Sequence, residues 1–311
     1  MSNKQAASTV MMIRPVDFSF NDQTAASNAF QNAAHGYTEE TIKKNAEQEF
    51  DNFVLLLKHH GIDVIIFNDT PQPATPDSIF PNNWISLDQH GRLALYPMHA
   101  INRRHERRDD IVDYFKNNFI VKDVYDLSYF EKDDKFLEGT GSMVIDYVNN
   151  ILYACLSPRT DKTVIDDFCK KMNYTACTFN SADENGKAIY HTNVMMCIGA
   201  KLAVVCLESI TDAAERKKVS ASLEKTGHEI IAISYEQMNH FAGNMLELNN
   251  KNGDRFLIMS AQAVASLTDD QFGLINKYNQ ILSPTITTIE TIGGGGVRCM
   301  MAEVFLEKKD Q

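Results

Sequence analysis

A chain of 311 residues, 44% apolar and 23% charged, has the make-up of a globular protein and the length of two ordinary domains. Its net charge of −11 argues against nucleic acid or an anionic membrane as the main partner. No apolar run approaches the ~18 residues of a membrane span. The polar start, Met1 to Thr9, lacks the apolar core of a signal peptide and is expected to be a short disordered lead. Six cysteines (155, 169, 177, 197, 206 and 299) form neither a C-x-x-C pair nor a zinc spacing. This is the pattern of a reduced, cytoplasmic protein without a disulfide framework, and no metal is expected.

Val10 to Ile13 reads as a strand stopped by Arg14-Pro15, and helical periodicity runs from about Ala25 to His59. Ile62 to Phe67 is a second strand. After a loop with three prolines, Ser78 to Leu87 reads as a strand interrupted by Pro81. A turn at His90-Gly91 leads into Leu93 to Tyr96. A charged helix over about Arg103 to Asn118 and a strand near Ile120 to Tyr125 complete the unit.

The same order then recurs. Phe136 to Ile145 pairs with Ile151 to Cys155, followed by a helix over about Asp161 to Met172 and a strand near Thr175 to Phe179. Tyr190 to Ile198 pairs with Leu202 to Cys206, with a helix over about Asp212 to Lys225 and a strand at Glu229 to Ile233. Ala242 to Leu248 pairs with Phe256 to Met259, with a helix near Asp269 to Lys277 and a strand near Thr285 to Glu290. A last strand opens at Gly296 to Cys299 and has no helix of its own, while the N-terminal strand, helix and strand have no hairpin partner. Joining the two ends satisfies both and removes edge strands, as propellers do. The expectation is a single domain over residues 10–311, a closed ring of strand–strand–helix–strand modules.

Asn83, Glu138, His191, Asn244 and Cys299 fall at similar places on the first strand of successive modules, at spacings of 55, 53, 53 and 55 residues. In a fivefold array such positions face one another near the axis. A nucleophile (Cys299), an acid–base (His191) and a carboxylate (Glu138) would converge there. Four glycines, Gly293 to Gly296, precede Cys299 and allow close approach of a ligand. Arg298 beside it would favour the thiolate. Taken one at a time, each residue has a plainer explanation: a buried structural cysteine, a core histidine, a hairpin glutamate, strand-end asparagines. The shared phase weighs against five accidents.

On these residues the chain resembles the guanidino-group-modifying, or pentein, superfamily. The carriers are Pro76-Asp77-Ser78-Ile79-Phe80-Pro81-Asn82-Asn83, Arg103-Arg104-His105-Glu106, Leu137-Glu138-Gly139-Thr140-Gly141, Ser157-Pro158-Arg159-Thr160, Tyr190-His191-Thr192-Asn193, Gly243-Asn244-Met245-Leu246 and Gly294 to Met300. The likeness covers Met11 to Phe305 and is nearest to bacterial amidinotransferase-like proteins that include citrulline-utilising hydrolases, relatives of arginine deiminase and dimethylarginine hydrolase. It implies an α/β fold, the five-bladed α/β-propeller of ββαβ modules. It implies that Cys299 attacks the central carbon of a guanidinium or ureido group, that His191 protonates the departing amine and then activates water, and that Glu138 binds substrate nitrogens. Asp77, Asn83, Asn193 and Asn244 are then substrate contacts, and Arg159 and Arg104 bind its α-carboxylate. No cofactor is implied.

Where arginine-processing members carry acids, this sequence has Asn83 and Asn193. A guanidinium has only donors, whereas a neutral ureido group offers a carbonyl that an amide N–H satisfies. The expectation is therefore a cysteine-dependent hydrolase of a small arginine-like amino acid that prefers citrulline, releasing ornithine, ammonia and carbon dioxide. The alternatives are an arginine or dimethylarginine deiminase, an amidinotransferase, and a non-enzymatic binding scaffold of the kind a ribosome anti-association factor makes from the same propeller. The sequence leaves the oligomeric state open, a homodimer included.

Overall fold

The computed structural model describes residues 4–33 and 36–309. These form five three-stranded sheets of one pattern, an antiparallel inner pair with a parallel outer strand. β1 (Thr9–Arg14) and β2 (Asp63–Asn68) run parallel, joined by the helix Glu39–His59. β3 (Ile85–Leu87), β4 (Arg92–Leu95) and β5 (Asp123–Asp126) form the next sheet; β6 (Val144–Asp146), β7 (Ile151–Cys155) and β8 (Thr175–Phe179) the third. β9 (Met196–Ile198), β10 (Leu202–Val205) and β11 (Glu229–Ala232) follow, then β12 (Leu246–Asn249), β13 (Arg255–Ile258) and β14 (Gln280–Leu282). The last strand, β15 (Ala302–Glu303), lies antiparallel to β1, with Val10 opposite Glu303 and Met11 opposite Ala302. The two ends of the chain thus share one sheet, as the repeat requires.

Local chemistry explains the elements. Helix Glu39–His59 starts at Thr38, whose side chain accepts from Thr41 N; acids occupy its first turn and Lys58 and His59 its last. Its stripe Ile42, Ala46, Phe50, Phe53, Val54 and Leu57 is buried at helical spacing. Asp161 caps helix Lys162–Met172, which Asn173 ends in the left-handed conformation. The middle strands β7 and β10 are covered on both faces and read as unbroken apolar runs.

Several boundaries differ from the expectation. Residues 26–33 and 36–38 are not part of the long helix: after the short turn Asp22–Ala25 they are irregular, and polar side chains there bond across the molecule. The strand expected at 285–290 is instead the helix Thr287–Gly293, and β14 precedes it; Glu49 accepts from the N–H groups of Thr288 and Ile289 at the helix start. The charged segment from Arg103 divides into a short turn, Asn102–Glu106, and the helix Asp109–Asn118. The last strand is short because Gly294 to Met301 forms turns.

The lead is corrected too. Residues 1–3 lie outside the described residues, but Gln5, Ala6 and Ala7 are buried. Gln5 ties the inner strands together: Nε2 donates to the carbonyls of Ile145 (2.9 Å) and Ile198 (3.4 Å), and Oε1 accepts from Tyr147 N (2.9 Å). No described helix is long and apolar enough to cross a membrane.

Gln5→Ala removes the three buried hydrogen bonds that tie Ile145, Ile198 and Tyr147 together. It is expected to lower stability by about 1–3 kcal/mol. Urea denaturation checks this: the midpoint should fall with the slope unchanged. An unchanged midpoint would show that the lead does not brace the inner strands.

Candidate active site

The five residues picked out by spacing do come to neighbouring places, but on the turns before the inner strands, not on the strands. Asn83 ends the turn Pro81–Asn83, Glu138 and His191 cap the short helices Gly139–Ser142 and Thr192–Met195, and Asn244 and Cys299 lie in turns ahead of β12 and β15. A helical turn at the head of a strand aims side chains and N–H groups inward, which a flat strand cannot do. Gly141 lets these turns meet: a Cβ there would stand 2.7 Å from His191 Nδ1. In the glycine run only Gly294 has a positive φ; Gly296 is required by contact, since a Cβ would lie 2.6 Å from Asn244 Oδ1.

Cys299 is 4% exposed. Its Sγ accepts from Asn193 Nδ2 and from Asn244 Nδ2, both at 3.3 Å. Asn244 is oriented by its carbonyl, which accepts from Arg298 N at 3.0 Å. Burial pushes the thiol above its usual range, opposed by these two amides and by Arg298. Arg298 does favour the thiolate, as expected, but its guanidinium is turned to Glu303 (2.9 Å) and the Met301 carbonyl (2.9 Å), and burial outweighs it.

His191 Nε2 bonds Glu138 Oε2 at 2.8 Å. Burial pushes the imidazole down to about 4 against the upward pull of Glu138, so it is neutral at pH 7. Glu138 is wholly buried, yet Arg159 (3.5 Å), His191 and the more distant Arg103 outweigh its desolvation and hold it well below the usual carboxylate range. Its other oxygen accepts from His99 N at 2.9 Å. An ionised Glu138 requires the proton on Nε2, which leaves Nδ1 as the basic nitrogen.

Behind Asn83 stands a group the sequence reading missed. Arg103, 2% exposed, forms a bidentate pair with Glu106 (2.7 and 2.8 Å) and donates to Asn83 Oδ1 at 2.8 Å. Because arginine only donates, Asn83 must present its N–H₂ on the other side. Burial lifts Glu106 to about 7 against the pull of Arg103. Arg103 Nε is also 3.8 Å from Asp77, whose buried Oδ1 has no hydrogen-bond partner among the described residues. The pair at i and i+3 was a visible signal; its burial was not.

Residues 21–32 cover the site. Asp77 Oδ2 accepts from Asn21 Nδ2 (2.8 Å) and Thr24 Oγ1 (3.2 Å), and Arg159 donates to the Thr24 carbonyl and Ser27 Oγ. Asn28 and Gln31 donate to the carbonyls of Gly293, Gly294 and Ile292. Arg159 therefore braces Glu138 and this covering segment, with its guanidinium 4.8 Å from the Tyr190 ring centre. Arg104 is half-buried and donates to the Met98 carbonyl, 3.4 Å from Glu131. Nothing in the sequence pointed to Asn21, Thr24 or Ser27. Among the described residues no group of three or more His, Cys, Asp or Glu could hold a metal.

A buried thiol flanked by amide donors, a neutral histidine on an ionised glutamate, and repeated three-stranded α/β sheets define the guanidino-group-modifying pentein class, enzymes that hydrolyse C–N bonds of arginine-like guanidino groups. The chain belongs to the family described as N,N dimethylarginine dimethylhydrolase, eukaryotic, whose profile matches residues 14–306. No curated protein matches it. Its fold is similar to the substrate-bound N-terminal domain of ArgZ, an arginine dihydrolase from the cyanobacterial ornithine-ammonia cycle, at TM-score 0.72 and 17% identity, covering 96% of this chain and 99% of that one. It is also similar to unliganded AgrE, at TM-score 0.74 and 19% identity over 97% of this chain, of which it spans 40%. A dimethylarginine dimethylaminohydrolase adduct with S-methyl-L-thiocitrulline matches at TM-score 0.63 and 13% identity, with 95% and 99% coverage.

Two outcomes follow. Because Cys299 is a buried neutral thiol, iodoacetamide inactivation of the free enzyme should still be climbing at pH ~8.5, the ordinary thiol range; a plateau already reached at pH 7 would show a preformed thiolate. Arg103→Met strands Glu106 and should cost about 3–5 kcal/mol, while Arg103→Met with Glu106→Leu should cost clearly less, as read by chemical denaturation.

Proposed function

We propose that the protein hydrolyses C–N bonds in the ureido or guanidino group of an arginine-like amino acid through Cys299, with citrulline preferred. One observation carries the preference: Arg103 takes the Asn83 carbonyl, so Asn83 has only its amide N–H₂ to offer, one N–H of which goes to Asn82 Oδ1 (3.0 Å), and two further amides donate towards Cys299 Sγ. Glu138 is already paired with His191 and Arg159. A site rich in donors, with its central carboxylate engaged, suits a neutral carbonyl-bearing group better than a cation.

Cys299 Sγ adds to the ureido carbon, and its proton passes by way of His191 Nδ1 to the departing δ-amine. Ornithine leaves and a carbamoyl-cysteine remains. Asn193 and Asn244 stabilise negative charge on sulfur as the bond forms and breaks. His191 then takes a proton from water, which attacks the carbamoyl carbon; carbamic acid departs as ammonia and carbon dioxide, and the thiol is restored. Asp77 and Asn83 contact the substrate end, and Arg159 and Arg104 offer donors to its α-carboxylate once the covering segment moves.

A second reading rests on Asp77 Oδ1, a buried acceptor without a donor among the described residues. A guanidinium N–H would satisfy it. Arginine would then be hydrolysed twice, with citrulline as intermediate, in keeping with the arginine dihydrolase activity named for ArgZ. The fold reading goes with the site: we take the five sheets as blades of one closed ring, one domain from residue 10 onward. Pairing of β1 with β15 and packing of β15 on β3, β6 on β9 and β9 on β12 support it. The described cysteines are all free, as a cytoplasmic setting would have them.

The test is kcat/KM for citrulline and arginine, with ammonia counted against ornithine. Citrulline should be the better substrate, and Asn83→Asp should move the ratio towards arginine by about tenfold or more. Two ammonia per ornithine from arginine, with arginine better, would favour the second reading; arginine yielding citrulline alone would sink both. Cys299→Ser and His191→Ala should each lose on the order of 10⁴-fold in kcat, and the double variant little more, because the two act as a unit.

A further inference from the structure

A cavity of about 350 Å³ lies outside the catalytic chamber, a size that falls within the roughly 300–1,000 Å³ of small-molecule pockets. Its walls carry three carboxylates, Asp183, Glu184 and Glu290, and two aromatic rings, Phe30 and Phe241. None of the three acids forms an ion pair among the described residues. Glu184 is exposed, whereas Glu290 is 2% exposed. Gln262 Nε2 donates to Glu290 Oε2 at 2.5 Å, but Oε1 has no hydrogen-bond partner. Burial pushes this carboxyl up to about 7 against the lowering pull of Ser260 and Gln262. Glu290 lines the cavity, and a buried carboxylate oxygen with no donor among the described residues is costly unless something else meets it.

The two rings form the wall towards the chamber. They stand 5.5 Å apart; Phe30 lies 6.3 Å from Tyr190, whose ring is 4.6 Å from that of His191. Phe241 abuts Gly296 and its carbonyl accepts from Asn244 N at 2.9 Å. Its φ is +61°, a left-handed conformation for a bulky residue, which is strained and persists only where the surroundings hold it. Rings beside carboxylates suit a cation with a flat or alkyl body. Phe30 belongs to the covering segment, and Thr291 O, next to Glu290, holds that segment through Asn32 N at 2.8 Å.

We propose that this cavity is an outer binding site for an organic cation, a guanidinium or alkylammonium side chain, seated on Glu290, Asp183 and Glu184 against Phe30 and Phe241. The choice of an arginine-like or ornithine-like ligand rests on the function proposed above; the requirement for positive charge does not. A cation here would be the amine product leaving the covering segment or, on the second reading above, arginine waiting outside it.

The experiment is calorimetric titration of the full-length Cys299→Ala protein, which cannot turn over, with L-arginine, L-ornithine and L-citrulline. Arginine or ornithine should occupy a site that Glu290→Gln and Glu184→Gln each weaken by about tenfold or more, the loss of one charge-assisted contact. Citrulline, neutral at its side-chain end, should bind no differently in these variants. Tighter binding of arginine assigns the site to an incoming guanidinium, as the second reading requires, and of ornithine to the amine product. If the chamber did not accept these amino acids, the stoichiometry would drop to one while sensitivity to Glu184→Gln remained, so the two readings fail separately. Glu184 is exposed, so its variant does not threaten the fold. Unchanged affinity for both cations in Glu184→Gln and in folded Glu290→Gln protein would overturn the proposal.

Discussion

The site depends on keeping Glu138 ionised where no water reaches it. A carboxylate in that setting persists only with charge and donors placed around it. The chain supplies them from separate segments: the His191 ring, the Arg159 guanidinium and the His99 backbone N–H. Its charge in turn fixes which nitrogen of His191 carries the proton and leaves Nδ1 facing Gly141 and Asn83. Removing one partner would leave a buried charge uncompensated. The protonation of His191 is therefore set by packing as much as by its own chemistry.

Arg159 links this charge balance to access. The guanidinium that steadies Glu138 also holds Thr24 and Ser27 of the covering segment. Asn28 and Gln31 fasten the same segment to the turn that carries Cys299. The thiol, the glutamate and the cover are thus joined through one set of contacts.

A second buried cluster, Arg103 with Glu106, Asp77 and Asn83, decides what the chamber offers. Arginine occupies the asparagine carbonyl, so the amide face turned inward is a donor. Together with Asn193 and Asn244 this places N–H groups around the sulfur. Two of these donors, on Asn193 and Asn244, lower the cost of charge on sulfur.

Much was legible in the sequence. A repeat near 53–55 residues gave the module, its four hairpins and the meeting of the two ends, because strand and helix periodicities are local and recur in phase. The spacing also singled out Cys299, His191, Glu138, Asn83 and Asn244. It misplaced them onto strands, since a single helical turn of three or four residues is too short to show a period. It read residues 285–290 as a strand, because an apolar β-branched run looks the same in a buried helix. It took Arg298 as favouring the Cys299 thiolate, which holds in direction; only the fold shows the guanidinium turned to Glu303 and the burial that outweighs it. The covering segment, the orientation of Asn83 and the raised thiol were out of reach, for hydrogen bonds between residues 24 and 159 or 28 and 293 leave no local pattern. By itself the sequence determined the module, its order and the chemical types that meet near the chain's turns. Tertiary structure alone decided which charges are buried together, and so which groups are ionised, because desolvation and pairing depend on neighbours far apart in the chain.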